Sequence, residues 1–432
     1  MMKKIFYLFF VGILVSWVQL DAQDLRPGFC NLKDPFKWAD NTPEGCPIPK
    51  SQEYSEIVFS GRYANYTNAD TWYPSWAEDD CMYSPWTDGY LLRGNESTYV
   101  PFDWQHPDYP CNSLDFMGRK AATAQAKIIG NDPMNLKIEN IEPRVEGSPA
   151  PYGGRYPAGS LVYNGIWYYG TYCLTNEAKS DCNGVGWPGF GPFVGFRISK
   201  DYGKTWEDSP HTPENPIFGE NPNVAPIKIG APHFVDFGKN MQYSPDGYAY
   251  MTAHGSTDPD AWNNWIQGDQ IYLIRVKPSE KTINDPNAYE FYGGKDKKGK
   301  PIWTKDFKKI KPLLEWPGYL GCVTATYNPG LKKYLMCISR GHRNFMWKQY
   351  YLDNRYDTMI LEADDLDGEW RLLKYMDRFG PVAYFVNIPS KFISEDGKTM
   401  WLSYSANWQD KNMYGNPQGS HYTFSLHEFS IE

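Results

Sequence analysis

Carboxylates and aromatic rings are concentrated in one stretch near the N-terminus. It reads Asn68-Ala-Asp70-Thr-Trp72-Tyr-Pro-Ser-Trp76-Ala-Glu78-Asp79-Asp80-Cys-Met-Tyr83-Ser-Pro-Trp86-Thr-Asp88-Gly89. Sites that bind sugars need this mixture, because aromatic faces contact the C–H faces of a sugar ring while carboxylates bind hydroxyl groups and carry protons. Trp72 and Trp86 are therefore candidate substrate-binding residues.

Asp70 and Asp88 are the candidate catalytic pair. Asp70 is predicted to precede one strand and Asp88 to follow the next, and such strand ends can meet at the central funnel of a β-propeller. One carboxylic acid would protonate the leaving oxygen of a glycosidic bond, and one carboxylate would activate water or attack directly. A separation of about 5–5.5 Å would give retention, and about 6.5–9.5 Å inversion. The alternatives are a capping role for Asp70 and a turn role for Asp88, as we assign to Asp79 and Asp80.

Polar residues elsewhere in the chain are candidates for binding substrate. They comprise His233, Asp236, His254, Arg340, His342 and Asn387. An arginine at a strand end can clamp sugar hydroxyls or the carboxylate of a uronate. The alternatives are a hydrogen-bonded structural role for the histidines and a surface loop for the segment that follows Arg340.

The elements that must position these residues are β-strands. Glycine and proline number 38 and 34, and aromatics make up 17% of the chain, which excludes a helical bundle and a disordered chain. Asn164-Gly165 indicates a hairpin. Ser199-Lys-Asp201-Tyr-Gly203-Lys-Thr205-Trp206 fits the Asp-box turn of propeller blades, and Ser394–Trp401 is a looser version. We predict an all-β fold with a single β-propeller of five, six or seven blades, and a short helix near Asn112–Lys127.

The N-terminus has the pattern of an export signal. Two lysines precede an apolar run from Ile5 to Val18, and Leu20-Asp21-Ala22 fits a cleavage site. We predict a signal peptide over 1–22, an irregular lead-in over 23–56 and the propeller over 57–432. The protein is expected to be secreted or periplasmic, and no later segment is long enough for a membrane span.

Charge and motif content narrow the class of partner. A formal charge of −8 argues against nucleic-acid binding. A lysine-rich stretch between 285 and 311 is interpreted as a solvated hairpin or as a contact for an anionic glycan.

P-loop, dinucleotide and HExxH motifs are absent from the sequence, so no cofactor or metal is predicted, although a structural calcium stays open. We expect a monomer, with Cys30–Cys46 and Cys173–Cys182 as candidate loop disulfides among eight cysteines.

The chain also resembles a known family. Asp70-Thr-Trp, Trp76-Ala-x-Asp79, Tyr83 and Asp88-Gly89 resemble the opening blade of a bacterial family first catalogued as a domain of unknown function, which includes secreted endo-D-arabinanases. The resemblance continues through Gly268–Val276, Ala288–Gly293, Pro301–Trp303, Tyr327–Leu335 and Trp401–Ala406, and so spans roughly residues 57–430. It implies a fold like that of five-bladed propeller glycoside hydrolases and a pair of catalytic aspartates, which we place on Asp70 and Asp88.

Three functions are compatible with these residues. The first is a secreted enzyme that hydrolyses glycosidic bonds of a poly- or oligosaccharide with Asp70 and Asp88. The second is a polysaccharide lyase for a uronate-containing glycan, in which His233 or His254 is the base and Arg340 neutralises the uronate. The third is a propeller that binds glycans without cleaving them.

Overall fold

Short β-prone runs and tight turns build five antiparallel sheets. The computed structural model describes residues 30–31, 35–67, 69–89, 122–146, 156–175, 189–221, 226–259, 261, 263, 265–341, 356–380, 382–406 and 417–432. The predicted signal peptide and His342 lie outside these residues. Within them lie the short 3-10 turns Lys239–Met241, Pro286–Ala288, Phe307–Lys309 and Ser390–Phe392.

Each sheet is one blade of a propeller. The first strands are β1 (Cys30–Asn31), β2 (Phe36–Lys37) and β3 (Ile57–Asn65). Blade 1 contains β4 (Ser75–Trp76), β5 (Met82–Gly89), β6 (Ala122–Ile129) and β7 (Lys137–Glu146), and blade 2 contains β8 (Tyr156–Tyr163), β9 (Ile166–Thr175) and β10 (Gly189–Ser199). Blade 3 contains β11 (His233–Phe234), β12 (Ala249–Gly255), β13 (Gly268–Val276), β14 (Glu290–Lys295), β15 (Pro301–Thr304) and β16 (Pro312–Leu320). Blade 4 contains β17 (Cys322–Asn328), β18 (Lys333–Gly341), β19 (Tyr356–Ala363) and β20 (Arg371–Met376), and blade 5 contains β21 (Tyr384–Asn387), β22 (Thr399–Ser405) and β23 (Ser425–Ile431).

The two ends of the chain close the ring. Strand β3 pairs antiparallel with β23, from Asn65 opposite Ser425 to Ile57 opposite Ile431. The order in blade 5 is therefore β21, β22, β23 and then β3, so a strand from the N-terminal part completes the last blade. Strands β1 and β2 add to the outer side of β3. The prediction of an all-β, five-bladed propeller is confirmed.

Five inner strands surround the central axis, one from each blade. They are β4, β8, β11, β17 and β21, and backbone hydrogen bonds join neighbours among them. Gly159 N donates to Pro232 O at 2.7 Å between blades 2 and 3, and Asp236 N donates to Ala325 O at 2.9 Å between blades 3 and 4. We call the side of the ring on which the inner strands begin the upper edge.

The predicted turns form as the sequence indicates. Asn164 and Gly165 join β8 to β9 with φ angles of 50° and 76°, the left-handed pair that suits a tight hairpin. In the Asp-box turn, the Asp201 carboxylate accepts hydrogen bonds from Ser199 Oγ at 2.8 Å and Thr205 Oγ1 at 2.7 Å. Trp206 then packs edge-on against Trp167 of blade 2, with ring centroids 5.3 Å apart. These turns hold the strands of the blade in register.

Two local expectations were wrong. The helix near Asn112–Lys127 is contradicted where the segment is described, because Ala122–Ile129 is strand β6. Its alternating residues Ala124, Ala126 and Ile128 are buried, a two-residue period that suits a strand. Cys46 and Cys173 are free thiols, so neither proposed disulfide is formed. None of the helices in the described ranges has the length and apolar character that a bilayer crossing requires.

Candidate active site

The upper edge brings together several of the predicted site residues. Because neighbouring strands are antiparallel, second strands end on the side where inner strands begin. Asp88, His254 and Arg340 are each the second-last residue of a second strand, in blades 1, 3 and 4. Tyr384 is the first residue of the inner strand of blade 5, and Asp70 precedes the inner strand of blade 1.

Asp70 is a buried carboxyl group held by three hydroxyls. Its backbone is bridged to Thr87 of β5 by hydrogen bonds of 3.0 and 2.9 Å. Its carboxylate accepts hydrogen bonds from Tyr384 Oη at 2.7 Å, from Thr71 Oγ1 at 2.8 Å and from Tyr422. Burial raises the pKa of Asp70 to about 6, while the hydroxyl donors favour the charged form and oppose that rise. A carboxyl group with this pKa can give or take a proton near neutral pH.

An aromatic cluster makes the surroundings of Asp70 apolar. It joins residues of blades 1, 3, 4 and 5, namely Tyr73, Ile266, Cys322, Tyr356, Val382, Tyr384, Phe385 and Tyr422. Trp265 packs edge-on against Tyr384, with ring centroids 5.4 Å apart. Because these side chains exclude water, the charged form of Asp70 is poorly solvated, which is the physical cause of its raised pKa.

The backbone is strained in the same region. Thr71, Val382 and Phe385 have φ angles of 64°, 56° and 54°. Branched and bulky residues rarely adopt this left-handed conformation, and each instance costs about 1–3 kcal/mol. Strain of this kind gathers at functional sites, where the surrounding packing holds it in place. The strained residues lie in the same region as Asp70, and this is a second observation that makes the region a candidate active site.

Arg340 is engaged by a carboxylate that sequence analysis did not select. Its guanidinium donates to Asp357 Oδ2 from Nε at 3.2 Å and from Nη2 at 3.0 Å, and to Gly318 O at 2.9 Å. Tyr375 Oη also donates to Asp357. The guanidinium lies 4.0 Å from the ring centroid of Tyr319. Arg340 thus belongs to a buried ion-pair network at the upper edge of blade 4.

His233 is the first residue of β11 and lies beside a cavity of about 30 Å³. Its ring packs on Tyr73 with centroids 4.0 Å apart, and neither ring nitrogen has a hydrogen-bond partner among the described residues. Burial, and to a smaller extent the nearby His254, lowers the pKa of His233 to about 3, so the ring is neutral. His254 is itself fully buried. A polar cavity of this size can hold one water molecule, which would satisfy the ring.

Asp236 and Asn387 connect blades below the upper edge. Asp236 accepts hydrogen bonds from the backbone N and the hydroxyl of Ser390, at 2.8 and 2.7 Å, which joins blade 3 to blade 5. Asn387 Nδ2 donates to Trp72 O at 3.1 Å, which joins blade 5 to blade 1. Both line the cavity beside His233. Their hydrogen bonds therefore hold the axis together, and substrate binding by them stays a prediction.

Trp72 and Trp86 are buried between blade 1 and its neighbours. Each side chain is 1% exposed. Trp72 Nε1 donates to Ala69 O at 3.0 Å, and its ring lies 5.2 Å from that of Phe424. Trp86 Nε1 donates to Asn140 Oδ1 at 2.9 Å. In this structure both rings support the wall behind Asp70 and show no open face to a sugar.

Of two further predicted site residues, the structure describes only the backbone of Asp88 and does not describe His342. Asp88 is placed through its backbone, one residue beyond Thr87, the bridge partner of Asp70, while its side chain lies outside the described residues. The pairing of β5 with β6 shifts register between Thr87 and Gly89, a local irregularity that often lies next to active sites. His342 follows β18 and lies outside the described residues altogether.

A metal centre finds no support in the described part of the chain. No three His, Cys, Asp or Glu side chains gather there as ligands. A calcium ion takes about six to eight oxygen ligands. Around the axial cavity, however, Asp236 is occupied by Ser390 and Gly238, and the hydroxyls of Thr324 and Thr326 donate to backbone carbonyls. These described side chains are therefore already engaged, and the calcium that the sequence left open stays untested.

Sequence analysis missed the hydroxyls that hold Asp70, and it missed Asp357. Tyr384 and the chosen candidate Asn387 are the first and last residues of β21, yet only Asn387 was selected. The sequence carried a usable indication, because the first residue of an inner strand lies at the upper edge. Tyr422 had no comparable pattern, since its contact with Asp70 joins distant parts of the chain, and Asp357 faces Arg340 only through the register of β18 with β19.

Comparisons with known proteins give only a distant likeness. No protein-family model matches the chain, and no curated protein matches it. Among solved structures, a hydrolase candidate from Bacteroides ovatus is 11% identical, with 91% of this chain and 96% of that chain covered and a TM-score of 0.46. An alpha-L-arabinofuranosidase from Podospora anserina is 9% identical, with 94% and 98% covered and a TM-score of 0.39. A family 117 glycoside hydrolase from Zobellia galactanivorans is 10% identical, with 88% and 90% covered and a TM-score of 0.40. Membership of the family that the sequence resembles stays a prediction.

Proposed function

We propose that this protein is a secreted enzyme that hydrolyses glycosidic bonds, with Asp70 and Asp88 as its two carboxylates. The observation that carries the proposal is the state of Asp70. It is buried at the upper edge, held by three hydroxyls, and has a pKa raised to about 6. The bridge from Asp70, which precedes the inner strand of blade 1, to Thr87 of the second strand brings the backbone of Asp88 close to Asp70.

The chemistry follows from the protonation of Asp70. Near pH 6 the acid and the carboxylate are both populated, so Asp70 can donate a proton to the leaving oxygen or take one from the attacking water. Asp88 then supplies the complementary step, as the base that deprotonates water or as the nucleophile at the anomeric carbon. The bond from the anomeric carbon to the glycosidic oxygen breaks, and water adds to that carbon.

His254 and Arg340 are proposed to act on the substrate side of this pair. Both belong to strand ends at the upper edge. Arg340 is already paired with Asp357 and bonded to Gly318 O, so its charge is partly neutralised before substrate binds. An elimination mechanism needs a cation that faces the uronate, and this pairing favours hydrolysis over the lyase alternative.

The test uses a glycan panel and two readouts. The mature wild-type protein and its Asp70→Asn variant are incubated with arabinans, pectins, gum arabic, ulvan and host glycans. Released reducing ends and absorbance at about 235 nm are followed together, since elimination yields an unsaturated uronate. New reducing ends without absorbance, lost in Asp70→Asn, are expected. Absorbance that survives in the variant would establish elimination instead, and binding without turnover would favour a glycan-binding propeller.

A further inference from the structure

The β14–β15 hairpin is an addition to the ordinary four strands of blade 3. Strand β13 pairs with β16 through Gly268 to Tyr272, and with β14 through Ile274 and Arg275. The hairpin therefore continues the sheet outward from the second half of β13, at the perimeter of the ring and away from the axis. It contributes no residue to the cluster around Asp70.

The hairpin and the segment that follows it to Lys311 concentrate positive charge on an acidic protein. Between residues 295 and 311 the chain has eight lysines and two aspartates, a formal charge of +6, so the remaining chain carries −14. The lysines are Lys295, Lys297, Lys298, Lys300, Lys305, Lys308, Lys309 and Lys311, and all eight are exposed. We call these eight residues the lysine patch. Like charges at this density repel one another, so the patch raises the energy of the free protein.

The two aspartates of the segment do not neutralise it. Asp296 Oδ1 accepts hydrogen bonds from the backbone N of Lys298 at 2.7 Å and of Lys300 at 2.9 Å, which fixes the hairpin turn. Asp306 Oδ1 accepts from the backbone N of Lys308 at 3.0 Å. Among the described residues, the ion pair recorded for the patch is that of Lys309 with Asp306 at 3.7 Å.

Cations elsewhere behave differently. Most described lysines and arginines outside the patch lie within 4 Å of a carboxylate, including Lys50 with Asp40 at 2.5 Å and Lys239 with Asp80 at 3.1 Å. Carboxylates of the described residues thus pair with most lysines and arginines elsewhere, but they do not surround the lysine patch. The missing counter-charge must come from solvent ions or from a bound anion.

The patch stands on a rigid base. Phe307, which lies between the lysines of the second half, stacks on Phe218 with centroids 5.6 Å apart and meets Phe291 edge-on at 5.2 Å. Trp303 of β15 is covered by the guanidinium of Arg275 at 4.0 Å. Since the backbone is fixed before any ligand arrives, little ordering of the hairpin is needed on binding.

We propose that the lysine patch binds an anionic polysaccharide, through carboxylate or sulfate groups repeated along its chain. Flexible lysines suit hydrated, regularly spaced charges, because each ammonium acts as a point charge without a required geometry. The large hydrophobic residue exposed on this hairpin is Ile302, an aliphatic side chain on which a nucleic-acid base cannot stack. One isoleucine is also a small anchor for a membrane. A long duplex would in addition be repelled by the −14 of the remaining chain.

The binding site is independent of the proposed hydrolysis. A long anionic polymer bound to the lysine patch can extend to the Asp70 site at the upper edge. A short neutral substrate could bind at the Asp70 site without contacting the patch. The proposal concerns binding alone, so it holds or fails whether or not Asp70 cleaves glycans.

Two variants with equal charge change test it. Lys297, Lys298, Lys308 and Lys309 are replaced by Gln in one variant. The matched control replaces Lys204, Lys277, Lys281 and Lys398 by Gln, four exposed lysines outside the patch. Equal melting temperatures of the two variants establish that both are folded. Affinities are measured for polygalacturonate and dextran sulfate, which separate carboxylate from sulfate recognition, and for neutral dextran, duplex DNA and phosphatidylglycerol vesicles.

The wild type is expected to bind at least one anionic glycan and not neutral dextran. The patch variant should bind that glycan at least about 10-fold more weakly, with a shallower dependence on salt, because fewer counter-ions are released. The control should stay within about twofold. Equal weakening in both variants, no binding of either anionic glycan, or tighter binding of DNA or vesicles than of the glycans would overturn the proposal.

Discussion

Asp70 and Asp201 receive similar hydrogen bonds and respond in opposite directions. Asp201, in the Asp-box turn, accepts from Ser199 Oγ, Thr205 Oγ1 and Thr205 N, and its pKa is lowered to about 2. Asp70 accepts from three hydroxyls, and its pKa is raised to about 6. The difference is burial, because Asp201 stays in contact with water and Asp70 does not. Hydrogen bonds alone therefore make a structural aspartate, and their combination with desolvation makes a carboxyl group suited to proton transfer.

The largest expected effect is on catalysis. Asp70→Asn should lower kcat/KM on the glycan found by the panel by about 10³-fold or more, because the amide can neither donate nor accept the proton. Asp201→Asn should change it by less than about threefold, since that side chain only shapes a turn. Initial rates at pH 6 measure both. Equal losses in the two variants would mean that Asp70 acts on structure and not on chemistry.

The second effect is the pH dependence of the free energy of unfolding. Ionisation of Asp70 lowers that free energy, whereas ionisation of Asp201 raises it. The pKa of Asp70 is about 6 when folded and about 3.8 when unfolded, so the wild type loses stability as pH rises from about 4 to 7. The loss amounts to about 2–3 kcal/mol, and Asp70→Asn does not suffer it.

Urea unfolding of both proteins at pH 4.5, 6 and 7.5 measures this change. The stability of Asp70→Asn relative to the wild type should increase steadily with pH. A constant difference would show that the folded-state pKa of Asp70 is not raised.

The third effect separates hydroxyl donors from burial. Tyr384→Phe removes the 2.7 Å hydrogen bond but keeps the ring, so the carboxylate loses stabilisation and the pKa of Asp70 rises further. The limb of the pH–rate profile that Asp70 sets should move up by about one pH unit: the alkaline limb where Asp70 is the acid that protonates the leaving oxygen, and the acidic limb where it is the base.

Tyr404→Phe is the matched control. Tyr404 is also buried, but its hydroxyl bonds to Ser420 and His427 and not to Asp70. This variant should leave the position of the limb unchanged. A similar displacement in both variants would point to a general loosening of the axis rather than to the bond with Asp70.

The comparison also shows what a sequence can reveal. The Asp-box turn around Asp201 was recognisable because the hydrogen bonds of its carboxylate all lie within Ser199–Trp206. The β-propeller fold followed from turn chemistry and strand alternation, which are equally local, while the number of five blades came from the family resemblance. Asp70 was selected through its composition-rich segment, but its burial depends on Tyr384 and Tyr422, more than 300 residues away. Local sequence carries no information on such contacts, so Trp72 and Trp86 were taken as sugar platforms although the fold buries both.

The smallest effect tests the turn itself. The pKa of Asp201 is depressed, so its charge contributes stability above about pH 4, which is lost as pH falls through about 2. Because the side chain is only partly buried, solvent screening limits the contribution to about 1 kcal/mol. Asp201→Asn should cost that amount in urea unfolding at pH 7, and the deficit should shrink at pH 3. Asp396→Asn, in the related turn before β22, should change in the same direction. A deficit that stayed the same at both pH values would mean that the turn depends on the shape of the Asp201 side chain and not on its charge. The lowered pKa of Asp201 would then no longer stand against the raised pKa of Asp70.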